Sequence, residues 1–287
     1  MYFLILKKLL KNLNMNNKIS VFGGTGFVGS EFCKKYSEDV IIIDRNNVVP
    51  KSEQVLYLIS TVDNYNVLTN PTLDIETNLI HLMNVLQNCK DKDITFNFVS
   101  SWFVYGDTDL PAKETSVCKP KGFYSITKHA AEMLIESFCK TFKVKYKIIR
   151  LGNVIGNSDG KVSKKKNALQ YLLNELKLNN SINLYNDGNF YRDFISVSDV
   201  VDGLKFIINQ GKNQEIYNLS NGTPVLFSDI ISYAHKKLNS TSTIGRMEAS
   251  DFHKIVQVES MYIDTTKLKN LGFSPKDNIY NIIDRII

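Results

Sequence analysis

Lys18-Ile19-Ser20-Val21-Phe22-Gly23-Gly24-Thr25-Gly26-Phe27-Val28-Gly29 decides how this 287-residue chain folds. A short apolar strand runs into three glycines at three-residue spacing, and a helical stretch follows to about Tyr36. Residues 40–44 are a continuous β-branched run ending in Asp44, and runs at 55–59, 95–100 and 146–150 have the same character. Such runs suit strands buried on both faces of a parallel sheet. Helical patterns at 74–88 and 124–141 separate them, and this alternation predicts an α/β doubly wound domain over residues 15–150. After Arg150 the chain turns rich in Gly, Asn and Lys, with helices expected at 168–178, 197–209 and 227–238 among loops and short strands. Residues 151–287 read as a smaller α/β lobe laid against the sheet and interleaved with it.

Composition excludes other classes. With 43% hydrophobic residues, 15 Gly and 6 Pro, the chain is neither disordered nor collagen-like. Thirty-five basic against 29 acidic residues leave +6, below what a dedicated nucleic-acid binder carries and compatible with an anionic small ligand. Cys33, Cys89, Cys118 and Cys139 are scattered, as are His81, His129, His235 and His253. That spacing predicts no metal site and free thiols in a reducing, cytoplasmic setting.

The glycine run has a chemical use. Gly23, Gly26 and Gly29 permit a tight turn after a strand, and a helix N-terminus behind them offers free N–H groups and partial positive charge to a pyrophosphate. Gly23, Thr25, Gly26, Phe27, Val28 and Gly29 are therefore candidate dinucleotide contacts in a Rossmann-like domain. Asp44, ending the next strand, can accept from a ribose diol and favours NAD; Arg45 beside it could clamp a 2′-phosphate, so NADP stays open.

Tyr124-Ser125-Ile126-Thr127-Lys128 sets a phenol and an ammonium one helical turn apart on the same face. A cation within about 4–6 Å favours the phenolate, by roughly 1–3 pKa units, and turns tyrosine into a usable base. Ser101 lies where the 95–100 run leaves the sheet, the edge at which open α/β sheets bind ligands, and can hydrogen-bond a reacting oxygen.

Gly-Gly-Thr-Gly-Phe-Val-Gly at 23–29, Val-Ser-Ser-x-x-Val-Tyr-Gly at 99–106, Tyr-x-x-x-Lys, Arg-Leu-Gly-Asn-Val-Ile-Gly at 150–156, Tyr-Arg-Asp-Phe-Ile-x-Val-x-Asp-Val at 191–200 and Leu-Gly-Phe-Ser-Pro at 271–275 stand in this order. Together they resemble the extended short-chain dehydrogenase/reductase family, in its NAD-dependent epimerase/dehydratase branch that modifies nucleotide sugars. The resemblance implies a catalytic set of Ser101, Tyr124 and Lys128. It places Ser60, Thr61 and Asn78 by the cofactor with Tyr124 and Lys128. It gives Asn153 and Arg192 to the substrate diphosphate, Tyr185 to the nucleotide base, and Ser101 to the sugar. Arginine's planar fork suits phosphate. Lys161, Lys164, Lys165 and Lys166 read either as a solvated loop or as a funnel for the diphosphate.

Within that family, dehydratases carry an Asp-Glu pair after the catalytic Ser/Thr; Trp102 and Phe103 stand there instead and can move no protons. The glutamate of decarboxylases is missing too. Cys118, six residues before Tyr124, reads as a structural thiol rather than the acid/base of a double epimerase. What remains is hydride transfer at one sugar carbon, C4 by preference, as 4-ketoreductase or 4-epimerase. The alternative from another class is a non-catalytic NAD(P)-binding scaffold or redox sensor. The helices bearing Asn78 and Tyr124 are those through which relatives pair, so a homodimer is expected, with no nucleic acid or membrane partner.

Residues 1–14 read as an extension before a start at Met15, or as a short amphipathic helix touching a surface or membrane; without them 273 residues remain. Only ten residues separate Asp44 from Val55, whereas a βαβ unit takes roughly 30. The sheet is therefore expected to lack one strand–helix pair and the adenine-contacting acid that relatives carry there. A looser adenine grip favours an exchangeable cofactor, and so a reductase.

Overall fold

The computed structural model describes residues 18–62, 64–157 and 168–287. The expectations for residues 1–14 and for the 161–166 lysine run fall outside these.

Six parallel strands form the central sheet: β1 (Ile19–Phe22), β2 (Val40–Ile43), β3 (Gln54–Tyr57), β4 (Thr95–Ser101), β5 (Lys145–Leu151) and, returning from the far half of the chain, β10 (Glu215–Leu219). Their order is β10-β5-β4-β3-β1-β2. The chain steps one way from β1 to β2, then reverses to β3, so β1 and β3 flank the switch point whose carboxyl ends form a ligand crevice.

Successive side chains of each strand point to opposite faces. Val21, Leu56, Val99 and Ile149 face one side, packing on Val200, Leu204 and Ile207 of a helix at Val197–Gln210. Phe22, Tyr57, Phe98 and Ile148 face the other, packing on Leu82, Val85, Ala131 and Ile135. The latter come from His81–Gln87 and from helix α4 (Phe123–Phe142), which carries Tyr124 and Lys128. Each such side chain, fully buried, contributes about 1.5–3 kcal/mol of transfer free energy.

The expectation of two buried faces fails at β2. It is the sheet edge, and Ile42 is 50% exposed. The cause is the short connection from β2 to β3, whose residues 45–53 form no helix or strand and so leave nothing to cover that edge.

The remaining elements form three two-stranded ribbons beside the sheet. β6 (Asn153–Ile155) pairs with β9 (Phe194–Ser196), β7 (Ile182–Tyr185) with β12 (Ile244–Met247), and β8 (Tyr191–Arg192) with β11 (Val225–Leu226). Their own core gathers Ile155, Leu172, Leu184, Phe227, Ile231 and Ile282. Asp199, on the helix packed against the sheet, holds the C-terminal segment: its carboxylate accepts from the backbone N–H groups of Lys276 and Asp277 as well as from Ser196. Among the described residues no helix is long and apolar enough to cross a membrane.

Candidate active site

The glycine turn sits at the carboxyl end of β1. Gly23 has φ +84°, where a side chain is strained, and a Cβ on Gly29 would stand 2.1 Å from the Gly23 carbonyl. A helix (Phe27–Lys35) starts directly behind, with no acid in its first turn and no side chain capping its N–H groups. This cradle fits a dinucleotide pyrophosphate, and Thr25, Phe27 and Val28 lie on its rim. Asp44 and Arg45 are exposed past the edge strand, where Asp44 Oδ1 accepts from Asn46 N at 3.0 Å.

All seven residues of β4 are buried, and its last, Ser101, accepts from Phe103 N at 3.3 Å to open a 3-10 turn over Trp102–Val104. Helix α4 starts after Gly122, whose φ is +94° and whose added Cβ would meet Asn64 Oδ1 at 2.7 Å. Tyr124 is thereby brought to Ser101 and Ser60, whose hydroxyls lie close enough to pull its pKa down. Phe103 meets Tyr124 edge-on at 5.8 Å and stacks on Trp102 at 3.9 Å.

The spacing predicts that Lys128 brings the phenol down; the structure corrects this. Burial holds Tyr124 above its ordinary value, the nearby Ser101 hydroxyl pulls it back, and the charge of Asp74 adds to the rise. Lys128 Nζ instead donates to Val99 O at 2.6 Å and lies 4.1 Å from the Phe98 ring centroid. Its own pKa is pushed down to about 7, first by burial, with Glu132 partly restoring it.

Asn78 also departs from expectation. It lies in a π-helical turn, Glu76–Ile80, a feature frequent at functional sites. Its amide is buried and fully used on protein groups. Oδ1 accepts from Ser60 Oγ at 3.0 Å and Thr61 N at 2.9 Å; Nδ2 donates to Thr61 Oγ1 at 2.9 Å and Thr127 Oγ1 at 3.0 Å. Asn78 holds the Ser60-Thr61 loop to α4 rather than offering itself to a ligand.

In the second lobe, where substrate contacts were expected, Asn153 Nδ2 donates to Asp193 O at 2.9 Å. The Arg192 guanidinium donates to the carbonyls of Tyr191, Val258 and Glu259 and lies over the rings of Phe190 and Trp102, at 4.7 and 5.9 Å. Burial pushes its pKa down to about 10, so it stays charged at neutral pH. Tyr185 stacks on His253 at 4.4 Å, and His253 Nδ1 is 3.3 Å from Tyr65 Oη. Burial, then the charge of Arg192, lower the His253 pKa. Tyr185, His253 and Arg192 thus form one group, joined to Tyr124 through Trp102 and Phe103.

Sequence reasoning missed Asp74, Thr127 and His253. Asp74 stands four residues before Asn78, a helical spacing that could have flagged it; nothing local marks His253. Cys118 is partly buried and burial pushes its thiol up, which suits a structural role. Among the described residues no group of three His, Cys, Asp or Glu side chains could hold a metal.

The NAD dependent epimerase/dehydratase family model matches residues 51–220, more than half the chain. The protein belongs to that family. A Methanocaldococcus jannaschii protein carrying a provisional UDP-glucose 4-epimerase name is 27% identical, over 94% of this chain and 97% of its own. The dTDP-4-dehydro-6-deoxyglucose reductase of Escherichia coli is 23% identical, over 86% of this chain and 76% of its own. The crystal structure of Thermotoga maritima UDP-glucose 4-epimerase with UDP-glucose superposes with a TM-score of 0.83 at 20% identity, over 93% and 97% of the two chains. This epimerase/dehydratase family member is an NAD(P)-dependent enzyme of nucleotide-sugar chemistry.

Proposed function

We propose that the protein is a nucleotide-sugar 4-ketoreductase, moving hydride at C4 with Tyr124 as the acid. The observation that carries this reading is the wall on Tyr124. Phe103 and Trp102 occupy the place beside the phenol and Ser101, so among the described residues that place offers the phenol and hydroxyls, and no carboxylate, for proton transfer. One acid/base supports hydride transfer at one carbon and not elimination.

Bound nicotinamide would supply or accept the hydride. The cradle at 23–29 would hold its pyrophosphate, and the Lys128 ammonium its ribose. Ser101 would hold the reacting oxygen while Tyr124 gives it a proton. Trp102 and Phe103 would keep water from that oxygen. Asn153, Arg192 and Tyr185 would hold the nucleotide diphosphate and base, with His253 as a further contact. The open edge at β2, which leaves Asp44 and Arg45 exposed, favours cofactor exchange and hence reductase over epimerase. The epimerase reading keeps support from the 27%-identical relative.

Ile75, Ile80, Phe123, Ile126 and Met133 leave apolar surface exposed on adjacent helices, which supports pairing of two copies there. Free cysteines support a cytoplasmic setting.

Mass spectrometry of the undenatured protein, followed by an NAD(P)H-oxidation assay with a nucleotide 4-keto-sugar, tests the function. A chain that binds and releases NAD(P)H and oxidises it on the keto-sugar supports the reductase. Tightly retained NAD with C4 inversion and no net oxidation overturns it.

A further inference from the structure

Arg192 and Asn153 lie on different ribbons, and Asp193 is the residue at which those ribbons meet. Arg192 ends β8 and pairs with Val225 of β11. Phe194 begins β9 and pairs with Asn153 of β6. Between them Asp193 is 2% exposed. Its backbone carbonyl accepts from Asn153 Nδ2 at 2.9 Å, and its carboxylate Oδ2 accepts from the backbone N–H of Gly222 at 3.0 Å. Its main chain thus holds the Asn153 amide, while its side chain ties the junction down.

The far end of that tie is closely packed. Gly222 lies in the loop by which the chain leaves β10. Its φ is +76°, and an added Cβ would stand 2.3 Å from Thr265 Oγ1, so no side chain has a place there. The same exit supports Asn153 from its other neighbour. Gly152 N donates to Leu219 O at 2.9 Å, and a Cβ on Gly152 would stand 2.1 Å from Ser220 Oγ. Residues 219–222 are therefore a common base for both ribbons. β10 pairs with β5, and β5 with β4, which ends in Ser101. Asp193 is thereby tied to Ser101 through the backbone hydrogen bonds of the sheet.

The junction presents donors to an anion. Arg192 spends three of its five N–H groups on the carbonyls of Tyr191, Val258 and Glu259, which leaves Nε–H and one Nη2–H without an acceptor among the described residues. Asn153 spends one amide N–H on Asp193 and keeps the other.

We propose that Asp193 is a positioning residue for the substrate diphosphate: by pinning the ribbon junction to the exit of β10, its carboxylate sets the Arg192 fork and the Asn153 amide at a fixed place relative to each other and to Ser101. This rests on the reading of Arg192 and Asn153 as diphosphate contacts. The bond from Gly222 goes to a buried charge, and loss of such a bond shifts an equilibrium about tenfold or more.

The test is calorimetric titration of the full chain, its glycine cradle filled with NAD(P)⁺, with UDP, dTDP, GDP and ADP. Asp193→Ala removes the tie. Asp193→Asn keeps an oxygen for Gly222, and Asp193→Glu keeps the charge on a longer arm. Affinity for the nucleotide that binds the wild type should fall about tenfold in the Ala and Glu variants and return to within about threefold in Asn, while NAD(P)H affinity changes less than about twofold. On an Arg192→Ala background the loss from Asp193→Ala should not add, because it acts through that fork. Should Asp193→Ala not fold, the Asn and Glu variants carry the same comparison. Folded Ala or Glu variants that bind nucleotide as the wild type does, equal losses for nucleotide and NAD(P)H, or losses that add to that of Arg192→Ala overturn the proposal. A wild type that binds through Arg192 and ignores Asp193 removes this proposal alone. A wild type that binds none of the four nucleotides, or Arg192→Ala and Asn153→Ala variants that bind them undiminished, remove the diphosphate reading as well.

Discussion

The ring of Phe103 meets the ring of Tyr124 edge-on, their centroids 5.8 Å apart and their planes at 85°. An aromatic edge at that place keeps water from the phenol and adds no second acid. Replacing Phe103 with Ala should admit water, ease the burial that raises Tyr124, and bring the basic limb of the rate profile to lower pH. A profile that stays in place would show that the ring has no part in holding the phenol neutral.

Lys128 makes stability depend on pH. Its folded-state pKa of about 7 lies below the ordinary 10.5, so the unfolded chain binds more protons between those values. Stability attributable to this group rises with pH across that window, and the penalty is fully present below pH 7. Lys128→Met should therefore melt above the wild type at pH 7 by several degrees and lose that advantage towards pH 10, while being inactive. Parallel melting curves across the window would contradict the depressed pKa.

Glu132 and Arg150 form a buried ion pair at 2.8 Å, binding α4 to β5 one turn beyond Lys128. Glu132→Ala leaves the guanidinium uncompensated and should cost about 3–5 kcal/mol in urea unfolding. A loss under 1 kcal/mol would mean that other groups carry the charge.

Arg192 donates to three carbonyls, including those of Val258 and Glu259. Arg192→Lys offers a point charge in place of a planar fork. It should raise the substrate KM at least tenfold while NAD(P)H affinity changes less than twofold. Equal losses in both would mark a bracing role alone.

The fold was legible because its signals are local. A glycine turn between strand and helix, β-branched runs and helical spacing need no distant partner. Even the missing strand–helix pair followed from counting ten residues between Asp44 and Val55. That Ser101 and Tyr124 share a site was implied by the family resemblance, with Ser101 placed by its position at a strand end. Contacts made across the chain were not legible. His253 meets Tyr65 from 188 positions away, and Arg192 finds Val258 66 positions on. The protonation of Tyr124 was read in the wrong direction because i to i+4 spacing places Lys128 nearby without saying where its ammonium turns. Burial and Asp74 decide the matter, and both are products of packing.

The most direct measurement follows cofactor and sugar together: NAD(P)H oxidation and the C4 product of a nucleotide 4-keto-sugar, in the wild type and in Tyr124→Phe. The account predicts one NAD(P)H oxidised per sugar reduced, and a loss of about 10²–10⁴-fold in the variant with cofactor binding intact. Inversion of a 4-hydroxyl with no net oxidation, or near-normal turnover in Tyr124→Phe, would contradict it.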